Sequence, residues 1–164
     1  MNHPVPIPQQ PLLDLVLRLC QRELDRLRSG IAAQAAGKRE SATRMQSRYD
    51  SFGVESSWMA DGLSRNWVER TEALARLQAL KLPAGPAVAA VGCLAGLGPA
   101  GGAAVDFYFL LPAAGGLTLL PPESPVEVYT LALQAPLAQK ILGKKPGDLI
   151  PVAPGLCHTL LQLD

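Results

Sequence analysis

Two carboxylates, Asp50 and Glu55, lie in a short stretch that also contains arginines and aromatic residues, RMQSRYDSFGVESSWMA at residues 44–60. They are the only close pair of acids in the chain that both basic and aromatic residues flank. Arg44 and Arg48 are one helical step apart, so both can face the same way. A guanidinium fork matches the geometry of phosphate, which favours contact with a nucleic-acid backbone. The alternative for the arginines is a solvated helix face.

Three aromatic residues, Tyr49, Phe52 and Trp58, accompany the two acids. Their first interpretation is hydrophobic packing that closes the tip of a helical hairpin, and the alternative is contact with a partner through an exposed patch. For Asp50 and Glu55 the simplest interpretation is a pair of solvated acids near a loop, because Asp favours turns. The residue types in this stretch therefore predict an interaction surface and leave its chemistry open.

Two runs with helical periodicity lie on either side of this stretch and would position it. Their apolar residues recur at steps of three and four, which predicts one apolar face on each helix. The first face comprises Leu13, Val16, Cys20, Leu24, Leu27 and Ile31, and the second comprises Leu63, Trp67, Leu74, Leu77 and Leu80. Neither face is stable in water by itself, so we expect an antiparallel coiled-coil hairpin at residues 12–82. A helix of about 30 residues would hold the stretch 44–60 about 45 Å from the base of the hairpin.

Composition divides the chain of 164 residues into two parts. Residues 1–82 contain 12 Lys and Arg against 9 Asp and Glu, a net charge of +3, whereas the second half contains 3 against 5, a net charge of −2. The total of +1 creates no strong field that would attract nucleic acid or a membrane surface. We therefore expect a flexible tail at 1–11, the hairpin at 12–82, a linker at 83–86 and a second domain at 87–164.

The second domain is predicted to be small and rich in β-structure, which makes the fold class α+β. Short apolar runs bounded by Gly and Pro predict strands at 87–94, 104–111, 127–133, 149–152 and 159–163. The segment GLGPAGG at 96–102 predicts a turn, since it lacks the order of a phosphate-binding loop. A proline break within 117–133 separates one short strand from the next.

A short helix and a tight turn are predicted between the last strands. Pro136 can begin the helix, because its fixed φ and missing N–H cost little there. Gly143 can end it in the left-handed conformation, and Lys144 and Lys145 lie where the helix dipole favours cations. The residues Lys145-Pro146-Gly147-Asp148 place Pro second and Gly third, which predicts a tight turn.

Cysteine usage and the N-terminal residues indicate a reducing compartment. The three cysteines, Cys20, Cys93 and Cys157, are far apart and form no metal-ligand cluster, so we expect small buried hydrophobic residues. The first residues, MNHPVPIPQQP, resemble neither a signal peptide nor an anchor. No apolar run reaches the roughly 18 residues that span a bilayer. Together these features predict a cytoplasmic protein.

Two segments resemble the Gre transcript-cleavage factors and their relatives. PLAQKILGKKPGDLI at 136–150 is similar to a signature of their FKBP-like C-terminal domain, and RELDRLRS at 22–29 is similar to the start of their first coiled-coil helix. The order and size of the parts agree as well, so the resemblance extends over residues 12–164. It implies an N-terminal antiparallel coiled coil followed by an FKBP-like domain. The LGKKPGD motif identifies the superfamily better than the activity.

The resemblance implies a transcription elongation factor that is not itself an enzyme. Its partner would be bacterial RNA polymerase, and the coiled coil would enter the polymerase through the secondary channel. The tip of the coiled coil would then meet the nascent RNA. Asp50 and Glu55 would be the tip acids that help the polymerase hold its own Mg²⁺ and the attacking water, so that backtracked RNA is cut. No cofactor of its own, membrane or small-molecule substrate is implied, and a monomer is expected. The residues expected to contact polymerase or RNA are Arg44, Arg48, Tyr49, Phe52, Trp58, Lys144 and Lys145.

The acid spacing departs from the family pattern. The family's essential acids lie three residues apart, whereas Gly53 stands three residues after Asp50 and the next acid is Glu55. A turn can bring carboxylates at either spacing together, but in a helix a separation of five residues turns them about 140° apart. The alternative function is therefore a secondary-channel binder that inhibits or modulates polymerase without cleavage. A peptidyl-prolyl isomerase is a further alternative, suggested by the FKBP-like domain alone.

Overall fold

The computed structural model describes the backbone of residues 7–44, 51–121 and 124–164, and the side chains of residues 7–36, 61–121 and 124–164. Two long helices come first, α1 (Gln9–Arg44) and α2 (Ser51–Gln78). Strands and one short helix follow in the order β1 (Leu94–Gly98), β2 (Asp106–Leu111), β3 (Thr118–Leu119), β4 (Val128–Ala132), α3 (Pro136–Ile141), β5 (Leu149–Ala153) and β6 (Leu156–Leu163). The predicted α+β fold class, a helical hairpin followed by a β-rich part with one short helix, is confirmed.

Helix α1 begins earlier than the sequence predicted. Residues 9–11, expected in a flexible tail, form its first turn, and Pro11 is accommodated because N–H groups of a first turn have no partner within the helix. Ile7 precedes the helix and Leu12 lies in its second turn, and both are buried. This pair has the spacing of a hydrophobic staple, which fixes the entry of the chain into the helix.

The two long helices pair in the antiparallel sense. Residues 18–75 form one compact unit that contains only helical segments of α1 and α2 among its described residues. Leu24 and Leu74 are buried in this unit, so the partner helix must cover each of them. Arg70 acts electrostatically on the Cys20 thiol, which places the early part of α1 beside the late part of α2. The predicted helical hairpin is therefore confirmed.

The apolar face of the hairpin weakens along α1 after Ile31. Ile31 is half-buried, whereas residues 32–36 are exposed. On α2, Trp67 was predicted on the apolar face but leaves 39% of its surface exposed. This position is therefore only partly in the seam between the helices.

The second compact unit contains residues 1–17 and 76–164 and is built on a single sheet of six strands in the order β3-β4-β2-β1-β6-β5. All pairs are antiparallel except β2 with β4, which run parallel. The β2–β4 connection is therefore a crossover, and the short strand β3 lies within it at the edge of the sheet. The central strands β1 and β2 consist almost entirely of buried residues.

Both faces of this sheet are covered. On one face, α3 contributes Ala138 and Ile141 to an apolar cluster whose sheet members are Ala95, Leu97, Leu110, Ile150 and Leu160. On the other face, Leu94, Phe109 and Leu111 are fully buried. The ends of the long helices in the same unit supply buried apolar residues, Leu12, Leu13, Val16 and Leu77. We infer that these helix ends cover the second face, because such apolar strands cannot face water.

Domain boundaries accordingly differ from the predicted ones. The sequence suggested a division at the linker 83–86, whereas the two compact units divide inside the helices, after residue 17 and after residue 75. The helix ends belong with the sheet because their apolar residues are buried there. Composition marks where the helical pattern stops, but it does not show which core a helix end joins.

The first strand is also displaced from its predicted position. Residues 87–93 precede β1, and the predicted turn at 96–102 contributes its first three residues to the strand. Gly98 is required there, because a Cβ atom would lie 2.2 Å from the carbonyl oxygen of Ala103. A Cβ on Gly96 would meet Ala104 and Gln162 at 3.0 and 3.2 Å. These two glycines indicate close approach of neighbouring segments to the strand.

The cysteines are free, but only one is deeply buried. Cys93 is buried and Cys20 is half-buried, and burial raises the pKa of both thiols. Cys157 is exposed on β6, so the prediction of three buried cysteines is wrong for this residue. Its strand lies beside the edge strand β5, where alternate residues face water. Within the described part of the chain, no helix combines the length and the hydropathy needed to cross a bilayer.

A strained residue in the loop after β2 gives a stability prediction. Ala114 has φ of 60°, which costs an L-residue about 1 kcal/mol, and Thr130 Oγ1 fixes the position by donating a hydrogen bond of 2.7 Å to the Ala114 carbonyl. We expect Ala114→Gly to leave stability unchanged or raise it by up to about 1 kcal/mol, measured by urea unfolding. The adjacent Ala113→Gly should instead lower it by about 0.5–1 kcal/mol, since φ there is not positive. Equal losses in both variants would contradict this account.

Candidate functional site

The predicted tip lies largely outside the described residues. Arg48, Tyr49 and Asp50 fall between the helices, at positions that the structure does not describe. Arg44 is the last residue of α1. The roles expected of Asp50 and Glu55 therefore stay predictions.

The backbone of the remaining tip residues is helical. Phe52, Glu55 and Trp58 all lie in the first turns of α2, which begins at Ser51. Glu55 thus belongs to a helix and not to an extended loop. A helical backbone fixes the direction in which successive residues leave the axis, about 100° apart, so the spacing between acids matters here.

The predicted helix and turn around Lys144 and Lys145 are confirmed. Helix α3 starts with Pro136 and is followed by Leu142 and then Gly143, whose φ is 76°. The Gly143 N–H donates to the Ala89 carbonyl at 2.8 Å, which ties the helix end to the segment before β1. A residue with a Cβ would be strained at this φ, which explains the glycine.

Backbone contacts hold both lysines in place while their side chains remain exposed. The Lys144 N–H donates to the Ile141 carbonyl at 3.0 Å, and the Lys144 carbonyl accepts from the Ala89 N–H at 2.8 Å. The Lys145 N–H donates to Asp148 Oδ2 at 2.9 Å, and Gly147 in the same turn has φ of 99°. The turn therefore presents two cations from a fixed backbone, which suits recognition of an acidic partner.

A second group of side chains, which sequence analysis did not single out, lies on the face of the sheet that α3 covers. We call it the acid–tyrosine cluster: Asp106, Tyr108, Glu127, Tyr129 and His158. The rings of Tyr108 and Tyr129 lie 5.9 Å apart between centroids, at an angle of 38°. The Tyr129 hydroxyl donates to Glu127 Oε2 at 3.0 Å, and Asp106 Oδ2 lies 3.7 Å from His158 Nδ1.

Carboxylates of the acid–tyrosine cluster act on the hydroxyl groups of both tyrosines. The hydrogen bond to Glu127 and its charge raise the pKa of Tyr129, with smaller contributions from burial and Asp106. Burial raises the pKa of Tyr108 first, followed by the charge of Asp106. The signal in the sequence was the alternation of Asp106, Tyr108 and Leu110 on one strand, but only strand pairing reveals that Glu127 and Tyr129 lie beside them.

These pKa shifts give a titration prediction. Glu127→Gln keeps a hydrogen-bond acceptor but removes the charge, so we expect the pKa of Tyr129 to fall towards its ordinary value. NMR detection of the tyrosine rings during a pH titration measures this. Tyr108 is the internal control, because burial contributes most to its shift and is unchanged. An unmoved Tyr129 midpoint would contradict the assignment.

The same shifts have a consequence for stability. Both tyrosines have a higher pKa in the folded than in the unfolded chain, so folding favours their protonated form. Their contribution to the free energy of unfolding is therefore fully present below about pH 10, the pKa of a tyrosine in the unfolded chain. It is lost as the pH rises through the raised values. Glu127→Gln should therefore make the alkaline loss of stability smaller.

No protein-family model matches the chain, and no curated protein matches it. Among solved structures, the chain is similar to GreA factor homolog 1 (Gfh1) of Thermus thermophilus, with 13% identity and a TM-score of 0.35 over 90% of this chain and 94% of that one. Gfh1 of Thermus aquaticus gives 16% identity and a TM-score of 0.36 over 89% and 92%. Identities and TM-scores of this size are low and leave the family of the chain open.

Proposed function

We propose that this chain is a transcription factor of the Gre type, which binds bacterial RNA polymerase through the secondary channel. One observation carries the proposal. The segment 136–150, whose residues resemble the Gre signature, folds as a short helix, a left-handed glycine, a tight turn and a strand. The two turn glycines of the motif, Gly143 and Gly147, both have positive φ. Pro136 and both glycines of the motif thus have a structural reason.

The arrangement of the long helices supports the same proposal. Residues 18–75 form an antiparallel pair, and the stretch 44–60 includes its connection. A pair of helices joined by a short connection presents that connection at one end of the unit. In the proposed function this end meets the RNA and the active site of the polymerase, in the cytoplasm.

The proposed chemistry belongs to the polymerase, and the chain supplies carboxylates to it. Asp50 and Glu55 would orient the attacking water and stabilise a hard cation that the polymerase holds, since carboxylate oxygens suit Mg²⁺. Arg44 and Arg48 would contact the RNA backbone through forked hydrogen bonds. Tyr49, Phe52 and Trp58 would contact polymerase or RNA beside them. The chain is proposed to act without a cofactor or an enzymatic activity of its own.

A second candidate function is binding to the secondary channel without stimulating cleavage. The helical backbone at Glu55 favours it, because Gly53 occupies the position three residues after Asp50. On a helix, an acid five residues after Asp50 leaves the axis in a different direction from an acid three residues after it. Such a chain would slow transcription or block cleavage by a competent Gre factor.

Cleavage of RNA in a halted, backtracked elongation complex separates the two functions. If Asp50 and Glu55 assist the metal, adding the chain shortens the RNA, and Asp50→Ala with Glu55→Ala lowers the cleavage rate at least about tenfold. Denaturing gels of end-labelled RNA measure this. Glu69→Ala is the matched control, because it removes an exposed acid from α2 outside the tip.

The other outcomes of this assay are equally informative. Slowed elongation without shortening, unaffected by the double alanine variant, would support the second candidate. No change in cleavage, elongation or initiation would overturn the proposal of a Gre-type factor.

The two lysines after α3 give an independent prediction. If Lys144 and Lys145 contact polymerase, Lys144→Glu with Lys145→Glu should weaken binding several-fold, mainly through slower association, and more strongly at low salt. Surface-immobilised polymerase at two salt concentrations measures this. Lys81→Glu is the control, since Lys81 is an exposed lysine outside this turn. Equal effects of both variants would remove the lysines from the interface.

A further inference from the structure

We propose that Lys140 and Pro151 close the outer edge of β5 to pairing with a strand of another molecule, and thereby keep the chain monomeric. Strand β5 lies at one edge of the six-stranded sheet, next to β6. The backbone groups on the outer side of an edge strand are a template on which a further strand can pair. This closure concerns the sheet unit alone and does not depend on the proposed function.

The hydrogen bonds of the last hairpin show which backbone groups of β5 point outwards. The Leu160 N–H donates to the Asp148 carbonyl at 2.9 Å. Every second residue of an antiparallel strand bonds to the neighbouring strand, so Ile150 is the next residue of β5 that bonds to β6. Leu149 and Pro151 lie on either side of Ile150, so their backbone N and O atoms point away from β6.

A strand added at this edge would need the backbone groups of Leu149 and Pro151, and only part of them is available. Two residues of an edge strand ordinarily offer two N–H donors and two carbonyl acceptors. Proline has no N–H, so one donor is missing. The Pro151 carbonyl accepts a hydrogen bond of 2.9 Å from Lys140 Nζ, so one acceptor is occupied. Of the two residues, only Leu149 keeps both a donor and an acceptor for another strand.

Lys140 reaches the edge because its helix covers the adjoining face of the sheet. It lies near the end of α3, whose residues Ala138 and Ile141 pack in the apolar cluster that includes Ile150 of β5. Its donor carries a full charge, which makes the bond to the Pro151 carbonyl stronger than one between neutral groups. A second strand on this edge would displace the ammonium or bury it, and either change costs free energy.

The side chains of the last hairpin would otherwise favour association. Leu149 exposes 62% of its surface, and Leu156 on β6 exposes 49%. An exposed edge strand with apolar side chains promotes association unless its backbone is blocked. The register of β5 on β6 is also irregular between Pro151 and Ala153, which shortens the regular stretch that a further strand could follow.

The opposite edge of the sheet is protected by its length. Strand β3 consists of Thr118 and Leu119 alone, and so short a strand offers too few backbone groups to hold a partner. Strand β5 has five residues, Leu149–Ala153, and lacks this protection. The closure by Lys140 and Pro151 is therefore placed on the edge that needs it.

Sedimentation velocity of the full-length chain at several concentrations tests this inference. Lys140→Ala with Pro151→Val frees the acceptor and restores a donor on a residue that favours strands. We expect the unmodified chain to sediment as a monomer, and the double variant to dimerise with a dissociation constant at least about tenfold lower. Lys81→Ala is the matched control, because it removes an exposed lysine distant in sequence from β5, and it should remain a monomer.

Two further measurements show whether the dimer forms through this edge. The Leu149 amide should exchange its hydrogen more slowly in the dimer than in the monomer, since it would bond to the added strand. Leu149→Pro, added to the double variant, removes this outward donor and should restore the monomer. A dimer in which the Leu149 amide is unprotected, or one that persists with Leu149→Pro, would contradict the assignment to this edge.

The single variant Lys140→Ala keeps the test decisive if the substitution of Pro151 prevents folding. It changes one exposed side chain, and it should strengthen self-association by a smaller factor than the double variant. Circular dichroism identifies the folded variants. Unchanged sedimentation of every folded variant that lacks Lys140, or an unmodified chain that itself pairs through β5, would overturn the proposal.

Discussion

The structure of the sheet unit depends on covering a sheet that is apolar on both faces. The central strands β1 and β2 bury nearly every residue, so each face needs an apolar layer against it. Helix α3 supplies one layer, and we attribute the other to the ends of the two long helices. The long helices therefore have two tasks, since their ends stabilise the sheet and their middle parts cover each other.

The same constraint acts on the segment between β4 and β5. Helix α3 is only six residues long and must end where Gly143 can turn the chain back towards Ala89. The turn through Gly147 then starts the last hairpin, in which the Gly147 N–H donates to the Leu160 carbonyl at 2.7 Å. Lys144 and Lys145 are held between these two fixed points. Their exposed position follows from the backbone rather than from any contact of their side chains.

Charge is distributed unevenly over the sheet unit. Lysines lie on α3 and after it, whereas Asp106 and Glu127 lie at the start of β2 and just before β4. Because β2 and β4 are parallel, both strands start at the same end of the sheet. Helix α3 follows the end of β4. The strand register brings the start of β5, which follows Lys144 and Lys145, level with the start of β2, so both groups of charges lie towards the same end of the sheet on different strands.

Local sequence signals determined the elements of this protein, because they depend on neighbouring residues only. The 3.6-residue period of leucines predicted the helical hairpin, and Pro136, Gly143 and Pro146-Gly147 predicted the short helix and the turn after it. Only tertiary structure decided that Gly96 and Gly98 belong to a strand, that the helix ends join the sheet unit, and that Asp106 and Tyr108 lie beside Glu127 and Tyr129. Each of these depends on close approach between segments distant in the chain. A single sequence does not record such contacts, because burial and register arise from the packing of the whole unit.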